Sequence, residues 1–131
     1  MDYTKILKTG EVFTNRYTVQ ESDTADASGN KGVRVLSTPS LLKYIELGSS
    51  AELFKRLPKG YSPVGTSINL KHIGATPING IIEVVTTVYN ICDSKITYDF
   101  KVFYNGKIIA KGDYEQKIVY LEGFLEKNNA K

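Results

Sequence analysis

Three polar residues lie where the hydrophobic pattern of the sequence predicts buried positions: Thr38, Glu46 and His72. Thr38 opens a predicted helix, Glu46 falls inside the apolar stripe of that helix, and His72 ends the inward face of the next predicted strand. A hydroxyl, a carboxylate and the only imidazole of the chain, all directed inward, are suited to hydrolysis or proton transfer. The sequence therefore predicts a site at these residues and does not by itself name a substrate.

Each of the three residues also has a purely structural explanation. Thr38 suits the N-cap of the helix, with Pro39 at the first helical position. His72 suits a hydrogen-bonded histidine at a strand end, and the stem of Glu46 is long enough to carry its carboxylate to solvent. A buried carboxylate without partners is costly, which favours the site explanation for Glu46. Thr38 and Glu46 are about 12 Å apart along the helix, so they contact opposite ends of one substrate or meet across two subunits.

The elements that position these residues follow from the periodicity of the apolar residues. Residues 11–20 alternate as in a strand, and the small polar residues 21–31 predict a mobile loop at the rim of a site. Residues 38–57 predict one long helix, which the small residues Gly48-Ser49-Ser50 allow to lie close to a sheet. Residues 61–120 have a period of two, which predicts four strands in an antiparallel meander.

Within the meander, an inward face is predicted for Val64, Thr66, Ile68, Leu70 and His72. Asn105-Gly106 predicts a hairpin turn, Gly112 a bulge, and residues 121–128 a final helical turn. The predicted fold class is α+β, with a five-stranded antiparallel sheet on one long helix and a single domain over residues 1–131. One helix covers only one face of such a sheet, and the apolar residues of the third strand predict cover for the other. We therefore expect a homodimer.

Composition excludes several classes of protein. The chain has 131 residues, of which 41% are hydrophobic and 24% charged, as in ordinary folded domains. The net charge of +3 comes from interleaved acids and bases, which disfavours nucleic acid as a partner. Apolar runs are too short for a membrane span, and the N-terminus lacks the profile of a signal peptide, so we expect a cytoplasmic protein without membrane partners. The single cysteine, Cys92, can form no internal disulfide and has no clustered partners for a metal.

The order of strand, long helix and four-stranded meander resembles the hotdog fold. Two segments carry a closer resemblance: Ser37-Thr38-Pro39-Ser40-Leu41 with Glu46, and Val64-Gly65-Thr66-Ser67-Ile68-Asn69-Leu70-Lys71-His72 followed by Ala75-Thr76-Pro77. Together they resemble the fluoroacetyl-CoA thioesterase family over about residues 12–120. The resemblance implies a hydrolase of short acyl-CoA thioesters that acts as a homodimer or a dimer of dimers. It implies no cofactor, since coenzyme A is part of the substrate.

The resemblance also assigns roles to individual residues. It places the catalytic threonine, glutamate and histidine of the family on Thr38, Glu46 and His72. The implied substrate-binding residues are Gly65, Thr66, Thr76 and Gln116. Gln116 stands where the family enzyme has an arginine near the acyl pocket, and the polar loop 21–31 replaces an aromatic-rich stretch. Both departures bear on fluoroacetyl selectivity and leave the expectation of thioester hydrolysis in place.

Several alternatives remain open at the level of sequence. Glu46 acts either as a nucleophile that forms an anhydride or as a general base on water, while His72 moves the proton and Thr38 orients a reacting group. Basic residues expected near the phosphates of coenzyme A are Lys43, Lys55, Arg56, Lys59 and Lys71. A hotdog dimer that binds acyl-CoA without turnover, and an enoyl-CoA hydratase-type lyase, are the competing functions. The lyase usually carries its acid and histidine on one segment, whereas Glu46 and His72 are 26 positions apart.

Overall fold

A computed structural model describes residues 1–130 and contains one antiparallel sheet and one long helix. In chain order the elements are β1 (Val12–Thr18), α1 (Thr38–Arg56), β2 (Tyr61–His72), β3 (Ile81–Cys92), β4 (Lys95–Tyr104), β5 (Lys107–Tyr120) and α2 (Leu121–Lys127). The α+β class, the long helix and the four-stranded meander are confirmed, and the ends of the predicted elements differ by only a few residues.

The sheet has the strand order β1-β3-β4-β5-β2, and every neighbouring pair is antiparallel. The strand that follows the helix therefore crosses to the far edge of the sheet, beside β5. Residues 65–69 of this edge strand are exposed. An exposed edge strand presents unpaired backbone N–H and C=O groups, which are a template for pairing with another chain.

The core lies between α1 and the inward face of the sheet. The helix buries Leu41, Tyr44, Ile45 and Leu53, and the sheet buries alternate residues of its central strands, such as Ile82, Val84, Val88, Ile96, Tyr98 and Val102. Gly48 lies at the closest approach, where an added Cβ would be 3.2 Å from a methyl carbon of Val84. The expectation that small residues bring the helix close to the sheet is confirmed.

Two features of the strands differ from expectation. In β2 the register shifts between Gly65 and Ser67, which places a bulge at Thr66 and interrupts the simple alternation of faces. The predicted bulge at Gly112 is absent. In the pairing of β4 with β5, the register shifts between Val102 and Phe103 and is regular at Gly112. Gly112 is needed for a different reason: a Cβ there would overlap the backbone carbonyl oxygen of Asn69.

The polar segment 21–31 is held against the fold by specific contacts. It begins with a short 3-10 helix, Glu21–Asp23, and both Asp23 and Thr24 are buried. The Tyr44 hydroxyl donates to Asp23 Oδ2 at 2.6 Å, and the backbone N–H of Gln20 donates to the same oxygen at 2.8 Å. The start of this segment is therefore packed against α1, although its sequence is polar throughout.

Three further observations concern partners and exposed groups. No helix among residues 1–130 is both long and apolar enough to cross a membrane. The same residues contain no group of three or more His, Cys, Asp or Glu side chains placed to hold a metal ion. Cys92, at the end of β3, is exposed and carries a free thiol.

Candidate active site

The first part of the site is a pair formed by Thr38 and His72. The Thr38 hydroxyl oxygen and His72 Nδ1 are hydrogen-bonded at 2.9 Å, and this contact joins the start of α1 to the end of β2. The chain just before Thr38 is held close to the segment that follows His72, because the backbone N–H of Leu36 donates to the carbonyl oxygen of Thr76 at 2.8 Å. The structure brings the two predicted residues together, but Thr38 is exposed, so the burial predicted for it is wrong.

The expected capping role of Thr38 is wrong. The N-cap of α1 is Ser37, whose hydroxyl accepts a hydrogen bond from the backbone N–H of Ser40 at 3.1 Å. Thr38 is the first helical residue, and Pro39 follows it. Because Ser37 performs the capping, the Thr38 hydroxyl is available to His72.

Burial determines the charge of His72. The half-buried ring is desolvated, which lowers the pKa of His72 below its ordinary value of 6.5, and a backbone hydrogen bond at Gly74 opposes the shift in part. The imidazole is therefore neutral at physiological pH, with one nitrogen able to accept a proton.

The second part of the site is a pair formed by Glu46 and Tyr114. The Tyr114 hydroxyl donates to Glu46 Oε2 at 3.0 Å, and the carboxylate is half-buried between α1 and β5. Glu46 thus has the hydrogen-bond partner that its position in the apolar stripe requires. The explanation in which its carboxylate simply extends into solvent is wrong.

A cleft of about 270 Å³ lies beside this pair. It is lined by Leu42, Glu46, Gly65, Thr66, Ser67, Ile68 and Tyr114. Its lining residues come from α1, the exposed edge strand β2 and β5, so the cleft opens at the edge of the sheet. A larger cleft of about 640 Å³ lies among outward-facing sheet residues such as Lys101, Lys111 and Asp113. That cleft contains none of the predicted catalytic or substrate-binding residues, although Lys71, expected near the phosphates of coenzyme A, lines it. The predicted catalytic chemistry favours the smaller cleft.

Two of the predicted substrate-binding residues, Gly65 and Thr66, line the cleft of Glu46. Gly65 has no room for a side chain, because a Cβ there would overlap the hydroxyl oxygen of Tyr114. Thr66, at the bulge, donates its hydroxyl to Glu115 Oε2 at 2.6 Å. This hydrogen bond leaves the Thr66 hydroxyl engaged within the protein.

The other two predicted substrate-binding residues are buried. Gln116 is 1% exposed and donates from Nε2 to the Ser50 hydroxyl at 2.7 Å, one helical turn beyond Glu46. Thr76 is fully buried, and its hydroxyl has no hydrogen-bond partner among the described residues. Neither side chain lines the cleft of Glu46. Their substrate-binding roles remain predictions.

The two pairs are separated within one chain. Glu46 contacts no atom of His72 by a hydrogen bond in the described residues, and Thr38 and Glu46 are about 12 Å apart by helical rise. Gly65, in the cleft of Glu46, precedes His72 by seven residues of β2, or about 23 Å of extended strand. One chain therefore holds the two pairs at different points along its edge strand.

Three of the five residues expected near the phosphates of coenzyme A are engaged elsewhere. Lys43 pairs with Asp23 at 3.5 Å and Lys55 with Glu52 at 3.7 Å. Arg56 binds Glu11 at 2.9 Å and Glu52 at 3.2 Å. For Lys59 and Lys71 the expectation remains a prediction.

Sequence reasoning missed Tyr114, Ser50 and Ser37 as residues of the site. Tyr114 lies two positions before Gln116, one of the predicted substrate-binding residues, and therefore on the same face of β5. This spacing was a usable signal. No comparable signal identified Ser50, since a serine on a helix is usually a surface residue.

Comparison with known proteins gives a family and a fold. The sequence model of the fluoroacetyl-CoA-specific thioesterase family, FlK, matches residues 19–122. No curated protein matches the chain.

Solved structures extend the comparison. A crystal structure of the fluoroacetyl-CoA thioesterase FlK is 21% identical, with a TM-score of 0.88 over 95% of this chain and 97% of that one. A hot-dog-like protein from Thermanaerovibrio acidaminovorans is 20% identical, with a TM-score of 0.88 over 98% and 95% of the two chains. A thioesterase superfamily member from Thermus thermophilus is 17% identical, with a TM-score of 0.83 over 92% and 90%. These likenesses establish the hotdog fold.

Proposed function

The chain belongs to the fluoroacetyl-CoA-specific thioesterase family, and from this premise we propose that it hydrolyses a short-chain acyl-CoA thioester to the free acid and coenzyme A. The observation that carries the proposal is the Glu46 carboxylate, held by a hydrogen bond at the mouth of a cleft.

In this proposal a homodimer completes the site. Antiparallel pairing of two β2 edges about a two-fold axis near Ile68 sets the Gly65 end of one protomer's strand beside the His72 end of the partner's strand. Because Thr38 is hydrogen-bonded to His72, the partner's Thr38 arrives with it. Each active site then takes Glu46 from one protomer and the Thr38–His72 pair from the other. The exposed edge of β2 supports this arrangement, and so does the separation of the two half-sites within one chain.

Two routes to hydrolysis fit these groups. In the general-base route, the water oxygen bonds to the thioester carbonyl carbon while its proton passes to Glu46. In the nucleophilic route, Glu46 attacks the same carbon and forms an anhydride, which water then cleaves. In both routes the C–S bond breaks. In the general-base route, the proton that Glu46 takes from water passes through His72 to the sulfur of coenzyme A. In the nucleophilic route, the sulfur leaves as a thiolate, and His72 then accepts the proton that water releases when it cleaves the anhydride and passes it to the sulfur. Thr38 orients the imidazole for that transfer.

A thiol-release assay tests the proposal directly. Purified protein is given acetyl-, fluoroacetyl-, butyryl- and decanoyl-CoA, and release of coenzyme A is expected for short acyl groups. Glu46→Gln is expected to lower kcat by about 100-fold or more, because it removes the basic oxygen while retaining the shape of the side chain. Binding of acyl-CoA without turnover over the whole panel would show a binding protein instead. Hydration of an enoyl-CoA without thiol release would show a lyase.

Isotopic labelling separates the two routes. Single-turnover hydrolysis in water enriched in oxygen-18 is followed by mass spectrometry of the peptide that contains Glu46. Label in that peptide supports the anhydride, because it enters only when water attacks the Glu46 carbonyl carbon of the anhydride. An unlabelled peptide with a labelled acid product is expected both from the general-base route and from water attack on the acyl carbonyl of the anhydride. Label in the peptide is therefore the result that separates the routes.

A further inference from the structure

Tyr114 is the residue that holds the Glu46 carboxylate, and neither the sequence pattern nor the comparisons assign it a role. The ring is 3% exposed and lies in the core of the protein, with only its hydroxyl directed at the cleft. That hydroxyl donates to Glu46 Oε2 at 3.0 Å. Within the described residues, Oε1 of the same carboxylate has no hydrogen-bond partner, so it is available to a substrate or a water.

This hydrogen bond is one of two that join residues of α1 to residues of β5. Glu46 and Ser50 are one turn apart on α1, and Tyr114 and Gln116 are two residues apart on β5. Tyr114 donates to Glu46, and Gln116 donates to Ser50 at 2.7 Å. Two hydrogen bonds between the same two elements fix the rotation of α1 relative to β5. The carboxylate therefore has a defined position before any substrate binds.

The lack of a side chain at Gly65 leaves the space that the Tyr114 hydroxyl occupies beside Glu46. A Cβ on Gly65 would overlap the Tyr114 hydroxyl oxygen and would lie 3.2 Å from the adjacent ring carbons. With any larger residue there, the phenol would have to move away from Glu46. A glycine on the edge strand and a tyrosine on its neighbour thus form one structural unit.

The Tyr114 hydroxyl keeps its proton throughout the physiological range. Burial raises the pKa of Tyr114, the negative charge of Glu46 raises it further, and a hydrogen bond with Gln116 opposes these effects only in part. A neutral phenol beside a carboxylate can act only as the donor in their hydrogen bond. The hydrogen bond therefore always runs from the Tyr114 hydroxyl to the Glu46 carboxylate.

We propose that Tyr114 is a positioning residue for the hydrolysis: its hydroxyl anchors Oε2 of Glu46 and so presents Oε1 to the thioester or to the attacking water. This inference rests on the proposed function and deepens it. Tyr114 does not touch the reacting atoms. Its effect falls on the chemical step, because a carboxylate that swings between several positions reaches the reactive one only part of the time.

Tyr98 offers a matched control for the test. It is a second buried tyrosine, its ring stacks on that of Tyr114 at a centroid distance of 6.4 Å, and its hydroxyl has no hydrogen-bond partner among the described residues. Tyr114→Phe and Tyr98→Phe each remove one buried hydroxyl and retain the ring. Only the first removes a contact to Glu46.

The experiment compares kcat and KM of the two variants with those of the full wild-type chain, per folded protein measured by circular dichroism. Tyr114→Phe is expected to lower kcat about 10- to 100-fold with KM within about twofold. Tyr98→Phe is expected to leave both constants within about twofold. Equal kcat in the two variants, or a Tyr114→Phe defect confined to KM, would overturn the inference. A wild-type chain without turnover overturns the proposed function as well, so the two failures are distinguishable.

Discussion

At the scale of single residues, the charge of His72 decides how the proposed hydrolysis responds to pH. Burial lowers the pKa of His72 below 6.5, so the imidazole of His72 in the folded protein becomes protonated only under mildly acidic conditions. A protonated ring cannot accept the proton that hydrolysis delivers to it. The neutral ring is the competent form, and it is the form present at physiological pH.

We therefore expect kcat/KM for a short acyl-CoA to be constant near neutrality and to fall as the pH decreases, with a midpoint below about 6.5. The direction follows from the lowered pKa, because the protonated fraction grows only as the pH passes below it. His72→Gln is expected to reduce kcat by about 100- to 10,000-fold. An acid midpoint above 6.5, or a variant with an unchanged rate and profile, would contradict the role given to His72.

The residue types of the site were predictable from the sequence, whereas their partners were not. Thr38, Glu46 and His72 stood out because each is polar at a position where the apolar pattern predicts burial. Their contacts depend on tertiary structure: Thr38 meets His72 across 34 positions, and Glu46 meets Tyr114 across 68. The apolar period of one helix or strand shows which of its own residues are buried. It does not show which residue of a different element contacts them.

At the scale of elements, two neighbouring hydroxyls at the start of α1 have different partners, and only the second belongs to the proposed site. Ser37 caps the helix, and the neighbouring Thr38 hydroxyl binds His72. We expect Ser37→Ala to lower the free energy of unfolding by about 1 kcal/mol, because a backbone N–H loses its acceptor. Compared with Ser37→Ala, Thr38→Val is expected to change the free energy of unfolding less and to reduce kcat more. Thr38→Ser is expected to retain both the stability and the kcat of the wild type. Urea unfolding and thiol release measure the two effects, and the opposite ranking would contradict this assignment.

The contact between Asp23 and Tyr44 holds the segment that precedes α1 against the helix. Burial alone would raise the pKa of Asp23, but hydrogen bonds from Tyr44 and Gln20 and the charge of Lys43 together lower it below 3.8. The same contact and burial raise the pKa of Tyr44 to about 12. A carboxylate with a lowered pKa contributes stability above its unfolded pKa, and the contribution is lost as the pH falls through the folded one.

Tyr44→Phe is therefore expected to lower the free energy of unfolding at pH 7 by about 1.5–3 kcal/mol, as for a hydrogen bond to a charged group. The difference from wild type is expected to shrink below a pH of about 4, where Asp23 becomes protonated. Tyr89→Phe serves as the control, since Tyr89 is 63% exposed. A difference that stays constant down to low pH would contradict the role of the Asp23 charge.

The boundaries of the elements were well predicted, and the contacts of the polar segment were not. Helix α1 and the strands of the meander were recognisable because their apolar residues recur with the period of the element. Segment 21–31 lacks such a pattern, and only Asp23 and Thr24 at its start are buried, with Asp23 held by a hydrogen bond from the distant Tyr44. Polar composition predicted mobility for the whole segment because composition does not record specific partners.

At the scale of the whole molecule, a site shared between two protomers makes a specific genetic prediction. Glu46→Gln and His72→Gln should each be inactive alone, yet a mixed dimer of the two retains one site in which both residues are wild type. Random association makes half of the dimers mixed, so co-expression is expected to yield about a quarter of wild-type activity. Differently tagged chains allow the mixed dimer to be purified and assayed by thiol release.

Two further pairings act as controls for this prediction. Glu46→Gln with Thr38→Val should also regain activity, because in the proposed dimer Thr38 and His72 of each site come from the same protomer, where they are hydrogen-bonded. His72→Gln with Thr38→Val should not, since each mixed site then has one defective member of that pair. Inactivity of every mixture would place the complete site within one chain and contradict the shared arrangement.

The exposed thiol of Cys92 affects how every one of these rates is recorded. Colorimetric disulfide reagents that detect free coenzyme A react with any accessible cysteine. A fresh enzyme sample will therefore consume one equivalent of dye per chain before turnover begins, and this rapid colour change resembles a pre-steady-state burst. Replacement by serine, or preincubation with the dye until the baseline is flat, removes the artefact.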